Sequence, residues 1–197
     1  EAIQLKADYG KAYTNRAYSH YELGKYPEVI ADVQEAISLN QADKNTYFYS
    51  GIARFKTNDM DNALKDLNEA IQLGSREPFA FGTRGMILYQ KGTYDEALGD
   101  LKRAIDLGAD TPEIYASLGN TQYALEDYPN AVSSLNTAVE AGTDQALVWH
   151  NLGHSRYMGK DYEGAVTALG KAIEMDPLYA DAYNNRGNAE AGRGQAL

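Results

Sequence analysis

The stretch HNLGH sets His150 and His154 four residues apart, the spacing that puts two imidazoles on one helix face, where a pair can hold zinc. A zinc hydrolase of that pattern places a glutamate general base directly after the first histidine. Here that position is Asn151, and no third ligand stands nearby in the sequence. The chain has 3 histidines and no cysteine, so there is no thiolate ligand, no cysteine nucleophile and no disulfide framework. No Gly-x-Ser-x-Gly elbow occurs, the 28 acidic residues are spread along the chain without a visible catalytic pair, and the closing GRG is too short for a phosphate loop. These residues predict no catalytic site, no metal and no cofactor, and His150 and His154 read as ordinary groove or surface histidines.

What must position such side chains is legible in the repetition. EAIQLKADYGKAYTNRA at the start and KAIEMDPLYADAYNNRG from Lys171 agree at seven of seventeen positions and lie five periods of 34 residues apart. The intervening chain keeps that register. Ala2, Ala36, Ala70, Ala104, Ala138 and Ala172 recur, and so do Ala17, Gly51, Gly85, Gly119, Gly153 and Gly187. So do the larger Val33, Leu67, Leu101, Leu135 and Leu169.

Within one period the apolar spacing is helical and breaks once. Tyr115, Leu118, Gly119 and Tyr123 share one face, Tyr128, Ala131, Leu135 and Ala138 share another, and LEDYP between them leaves room only for a tight turn. Each period is therefore expected to be an antiparallel helical hairpin. Glycine closes the second helix at Gly74, Gly108 and Gly142, and Pro177 does so in the fifth period. Arg16 and Arg84, in the first and third periods, stand where Leu118 and Leu152 stand in the fourth and fifth, while Asp32 and Asp100 become Ser134 and Ala168. Arginine travels with aspartate and leucine with a small residue, which predicts an ion pair across the hairpin exchanged for an apolar contact. Ser50 and Asp66 fit only if Arg54, one turn on, substitutes.

The chain resembles the tetratricopeptide repeat family along its whole length. The fifth period carries the resemblance best, with Trp149, Leu152, Gly153, Tyr162, Ala165, Leu169, Ala172 and Pro177 in the family's places. The resemblance implies an all-α, right-handed superhelical solenoid of helix-turn-helix units. Complete repeats are expected at 10–43, 44–77, 78–111, 112–145 and 146–179, with 1–9 ending a preceding repeat and 180–197 forming a partial one. An incomplete unit at each end reads as a segment cut from a longer array, and the last helix is expected over Ala182 to about Ala191.

In the family the first helices line a concave groove that holds a peptide or a partner helix. Carried over, the groove positions are Asn15, Tyr18 and Tyr21, then Tyr49 and Phe55, then Thr83, Met86 and Tyr89. They continue with Asn120 and Tyr123, then His150, Asn151, His154 and Tyr157, and finally Asn185 and Asn188. The N-terminal half of this face is the more apolar. The C-terminal half is rich in asparagine, whose amides suit a peptide backbone. The lysine and asparagine clamp that some members close on a chaperone tail has Thr14, Tyr18 and Tyr49 in its place, which disfavours that ligand. His150, His154 and Asn185 are its nearest imitation.

The reading is a non-catalytic protein interaction scaffold; the alternative is a targeting or regulatory segment of a larger enzyme whose chemistry lies elsewhere. Self-association through uncapped ends is a third expectation. The formal net charge of -10 opposes binding to the phosphates of nucleic acid and to anionic membranes. No apolar run approaches the roughly 20 residues of a membrane span, so no membrane insertion is expected. The sequence carries no address, and the compartment is open.

Overall fold

The computed structural model describes residues 9–195. The helix tail expected at Glu1–Leu5 lies outside the described residues, as do Ala2 of the alanine series and the last two residues. Eleven helices and no strand occur among the described residues. The first helices of the hairpins are α1 (Gly10–Glu22), α3 (Lys44–Lys56), α5 (Pro78–Gln90), α7 (Pro112–Ala124) and α9 (Ala146–Met158). Their second helices are α2 (Tyr26–Ser38), α4 (Met60–Gln72), α6 (Tyr94–Asp106), α8 (Tyr128–Glu140) and α10 (Tyr162–Met175), and α11 (Ala180–Gln195) follows.

Close packing explains the small residues. A Cβ added to Gly51, Gly85, Gly119 or Gly153 would stand 2.7, 2.8, 2.5 or 2.6 Å from Cγ of Leu67, Leu101, Leu135 or Leu169. Each glycine is thus the socket for one leucine of the second helix, and all four leucines are fully buried. Between the helices the chain turns through a left-handed residue at Gly24, Asn58, Gly92, Glu126 and Lys160, again one period apart. Second helices close at Gly74 and Gly108 with two backbone bonds of the Schellman type, Gly108 N–H to Ile105 and Ala109 N–H to Ala104 in the latter. Asp176, ahead of Pro177, is extended and ends α10.

The arginine and aspartate expectation is met in geometry. Arg16 Nε donates to Asp32 at 2.8 Å with a second bond from Nη2, and Arg84 holds Asp100 through two bonds of 2.6 and 2.7 Å. In the second hairpin Arg54 Nε lies 2.8 Å from Asp66, whose carboxylate also accepts from Ser50 at 2.6 Å. Leu118, Ser134, Leu152 and Ala168, which take the corresponding places in the fourth and fifth hairpins, are all buried. One expectation is corrected: α11 does not stop near Ala191 but continues through Gly192 and Gly194 to Gln195. Gly192 packs so closely on the Tyr162 ring that a Cβ there would stand 2.6 Å from it, and this tertiary contact outweighs the weak helix propensity of glycine.

Among the described residues, every helix touches only its neighbours in sequence, except that each first helix also touches the next first helix. No such contact joins successive second helices among the described residues. A stack whose members approach on one side and part on the other bends toward the close side, so the first helices form the inner, concave face. The buried aliphatics divide into successive clusters along the stack, as expected of a solenoid.

Candidate binding groove

The apolar half of the groove holds a cavity of about 280 Å³ between α1, α3, α5 and α7. Its wall is Tyr21, Ile52, Phe55, Phe79, Thr83, Met86 and Ile114, and no second helix contributes to it. Helical spacing aims these residues inward: Ile52 and Phe55 are three apart on α3, and Phe79, Thr83 and Met86 are spaced by four and three on α5. Phe79 is 45% exposed, a large apolar ring left facing solvent. Lys56 and Glu113, both exposed, stand at the rim, and neither is in an ion pair among the described residues. Beside the cavity Tyr18, Tyr21, Phe48 and Tyr49 form a tilted ring cluster with centroids 5.3 to 6.3 Å apart. Burial pushes the Tyr21 and Tyr49 hydroxyls above the usual tyrosine range, and the nearby carboxylates of Glu22 and Glu77 add to it.

The C-terminal half is a hydrogen-bonded ladder across three first helices. Asn151 Nδ2 on α9 donates to Asn120 Oδ1 on α7 at 3.0 Å, and Asn151 Oδ1 meets His150 Nδ1 at 3.0 Å. Asn185 Nδ2 on α11 reaches His150 Nε2, also at 3.0 Å. An amide nitrogen can only donate and Nε2 must then accept, which fixes His150 as the neutral Nδ1–H tautomer. Burial lowers the His150 pKa below the ordinary histidine value, outweighing the hydrogen bond that Nδ1–H gives to Asn151 and the charge of Asp181. His154 is lowered too, by burial first and by His150 second, and its Nδ1 lies 3.0 Å from the Tyr123 hydroxyl. Both nitrogens of His150 are therefore engaged by amides. The two imidazoles stack in near-parallel planes 6.4 Å apart, and no group of three metal-binding side chains occurs among the described residues. The same burial opposes a carboxylate clamp of His150, His154 and Asn185, which depends on a protonated histidine.

The predicted groove residues separate into three groups. Asn15, Tyr18 and Asn188 are exposed; Thr83, Asn120, His150 and Asn151 are buried and form the floor. Tyr21, Tyr49, Phe55, Met86, Tyr89, Tyr123, His154, Tyr157 and Asn185 are half-buried. The recurring aromatic does not simply bridge neighbouring first helices. Tyr89, Tyr123 and Tyr157 lie 5.8, 6.1 and 5.9 Å from Tyr94, Tyr128 and Tyr162, the first residue of the second helix in each hairpin. Sequence reasoning missed Lys56, Thr111, Ile114 and Tyr179, whose ring lies 4.8 Å from His150. Thr111 and Tyr179 lie two periods apart, each just before a first helix, so the register would have found one from the other.

Two family profiles match this chain. One described as "TPR repeat" covers residues 85–126 and 154–192, and one described as "Tetratricopeptide repeat" covers residues 14–78. The chain belongs to the tetratricopeptide repeat family. Among solved structures, this tetratricopeptide array is similar to YrrB, described as a TPR protein with an unusual peptide-binding site. The two share 20% identity at a TM-score of 0.77 over 94% of this chain and 96% of that one. A MamA structure is similar at 21% identity and TM-score 0.69, covering 87% of this chain and 98% of its own. The C-terminal part of a TPR repeat-containing protein from Cytophaga hutchinsonii is similar at 20% identity and TM-score 0.64, over 93% of this chain and 72% of that one. At these identities the likeness concerns the fold.

Proposed function

We propose that this tetratricopeptide array is a non-catalytic protein interaction scaffold that takes an extended peptide, or one helix of a partner protein, along its concave face. The cavity of about 280 Å³ under Phe79 and Met86 carries the reading. It is sized for one or two apolar side chains and is flanked by the charges of Lys56 and Glu113, which can orient a peptide carrying both signs. The description of YrrB as peptide-binding supports the same reading. The amide floor of the C-terminal half is already occupied by its own hydrogen bonds, so recognition centres on the N-terminal half and the polar ladder keeps the groove in shape.

The test is selection of a random peptide display library on the whole chain, followed by titration of the selected peptides against a Phe79→Asp, Met86→Asp variant. Both side chains project from the groove wall, so the variant keeps its helices, which circular dichroism checks. A loss of at least about tenfold is expected. Equal affinity for both proteins would place binding elsewhere and refute the groove.

A further inference from the structure

The cavity under Phe79 has an acidic surround. Glu113 lines it, and Glu22 and Glu77 stand beside it, since both carboxylates help raise the Tyr21 hydroxyl of the cavity wall and the Tyr49 hydroxyl next to it. Glu77 belongs to the loop ahead of α5, yet it acts on rings carried by α1 and α3, so its carboxylate leans back over the inner face. All three acids are exposed, and none is in an ion pair among the described residues. Among the described residues that line the cavity or act on these two hydroxyls, Lys56 alone is cationic.

The rings supply the other half of a cation site. Tyr49 lies 5.5 Å from Tyr18 and 5.4 Å from Tyr21, with planes tilted by 44° and 42°. A planar guanidinium laid on such rings is attracted by their faces and still points its N–H groups at flanking carboxylates, which a lysine ammonium does less well. Because Tyr21 belongs both to this ring cluster and to the cavity wall, the two subsites adjoin. In an extended peptide, residues two apart project to the same side about 7 Å from each other, which serves both at once. We propose that the groove takes an extended basic segment of a partner protein, with a large apolar side chain in the cavity and an arginine two residues from it on Tyr18 and Tyr49, between Glu22 and Glu77. The same carboxylates repel an acidic peptide. The inference rests on the concave groove being the binding face and adds the charge of what it binds.

The probe is the capped peptide Gly-Ser-Arg-Gly-Phe-Gly-Arg-Ser-Gly, with arginine on both sides of the anchor so that either chain direction is served, titrated into the whole chain and followed by amide NMR shifts. Its twins carry glutamine or glutamate in place of both arginines. The arginine peptide should give saturable shifts in α1, α3 and α5 and bind at least about fivefold more tightly than the glutamine peptide, with the glutamate peptide weaker still. Glu22→Gln with Glu77→Gln should bring the arginine and glutamine peptides within about twofold of each other. Glu77 makes no side-chain capping bond at the start of α5, so the amide leaves that helix in place. Glu28→Gln with Glu35→Gln, which removes the same charge from α2, should leave the preference intact. An arginine peptide that fails to bind, or binds no better than its glutamine twin, would overturn the inference. The groove is judged separately by Phe79→Ser with Met86→Ser, which keeps the charge and should weaken all three peptides at least about tenfold. Loss of binding there without a charge preference leaves the groove standing and this inference refuted, whereas an arginine peptide held undiminished refutes both. Self-association of the chain alone that shifts the same amides and is removed by Phe79→Ser with Met86→Ser would give the groove to a second copy and overturn the proposal.

Discussion

Replacing Arg84 by leucine should be far more damaging than replacing Arg84 and Asp100 together. Asp100 is 8% exposed and receives two bonds of 2.6 and 2.7 Å from Arg84, whose third nitrogen bonds Asn68 of the preceding hairpin at 2.9 Å. Arg84→Leu leaves that carboxylate buried against a hydrocarbon, a change that costs about 3 kcal/mol or more. Arg84→Leu with Asp100→Ser recreates the Leu118 and Ser134 pair, which the fourth hairpin already packs with both residues buried. The double variant should fall within about 1 kcal/mol of the parent and so be about 2 kcal/mol more stable than Arg84→Leu alone. Urea unfolding followed by circular dichroism measures the total. Hydrogen exchange at α5 and α6 shows whether the loss is local, because a repeat array does not always unfold as one unit. A double variant no more stable than Arg84→Leu alone would refute the idea that the two solutions are interchangeable.

Gly119→Ala and Gly99→Ala should shift the thermal midpoint in opposite directions. At Gly119 a Cβ would stand 2.5 Å from Leu135 Cγ and 3.0 Å from its backbone nitrogen, a misfit of about 1–3 kcal/mol, whereas Gly99 has open space in mid-helix and gains about 0.5–1 kcal/mol. Glu126→Gly relieves a left-handed residue at φ 59° and should stabilise by about 0.5 kcal/mol after the added freedom of the unfolded chain is subtracted, read from the urea midpoint. His150 and His154 both have folded pKa values below the ordinary histidine value of about 6.5. The unfolded chain therefore binds protons first, and stability present above pH 6.5 is lost as pH falls through that value toward the folded pKa. His150→Gln with His154→Gln should flatten the slope of unfolding free energy between about pH 7 and 5, and an unchanged slope would contradict the burial argument.

The hairpins were legible because glycine and leucine at fixed spacing have one packing solution, and the Arg16 to Asp32 pair because its apolar substitute appears in the same chain. The turns were only half legible. Gly24 and Gly92 announce a left-handed residue, but Glu126 and Lys160 adopt it with no signal in their type, held by the helices on either side. The aromatic series was read without its partners in the second helices, since Tyr89 meets Tyr94 across a turn that spacing alone does not fold. The reach of α11 through Gly192 depends on a ring contributed by α10, a tertiary contact that a local reading of glycine-rich sequence cannot supply.

Because each helix meets only those one or two places away in sequence, the groove is assembled from interchangeable lengths rather than drawn as a whole. Removing 34 consecutive residues from the middle would leave every downstream glycine seated on the leucine of its own hairpin. The apolar cavity and the amide ladder already share α7, so such a removal would shorten one of them without opening a void. Groove length and the order of its chemistry are in that sense editable quantities, and a duplication or deletion in phase with the period changes what the inner face offers while leaving how it folds untouched.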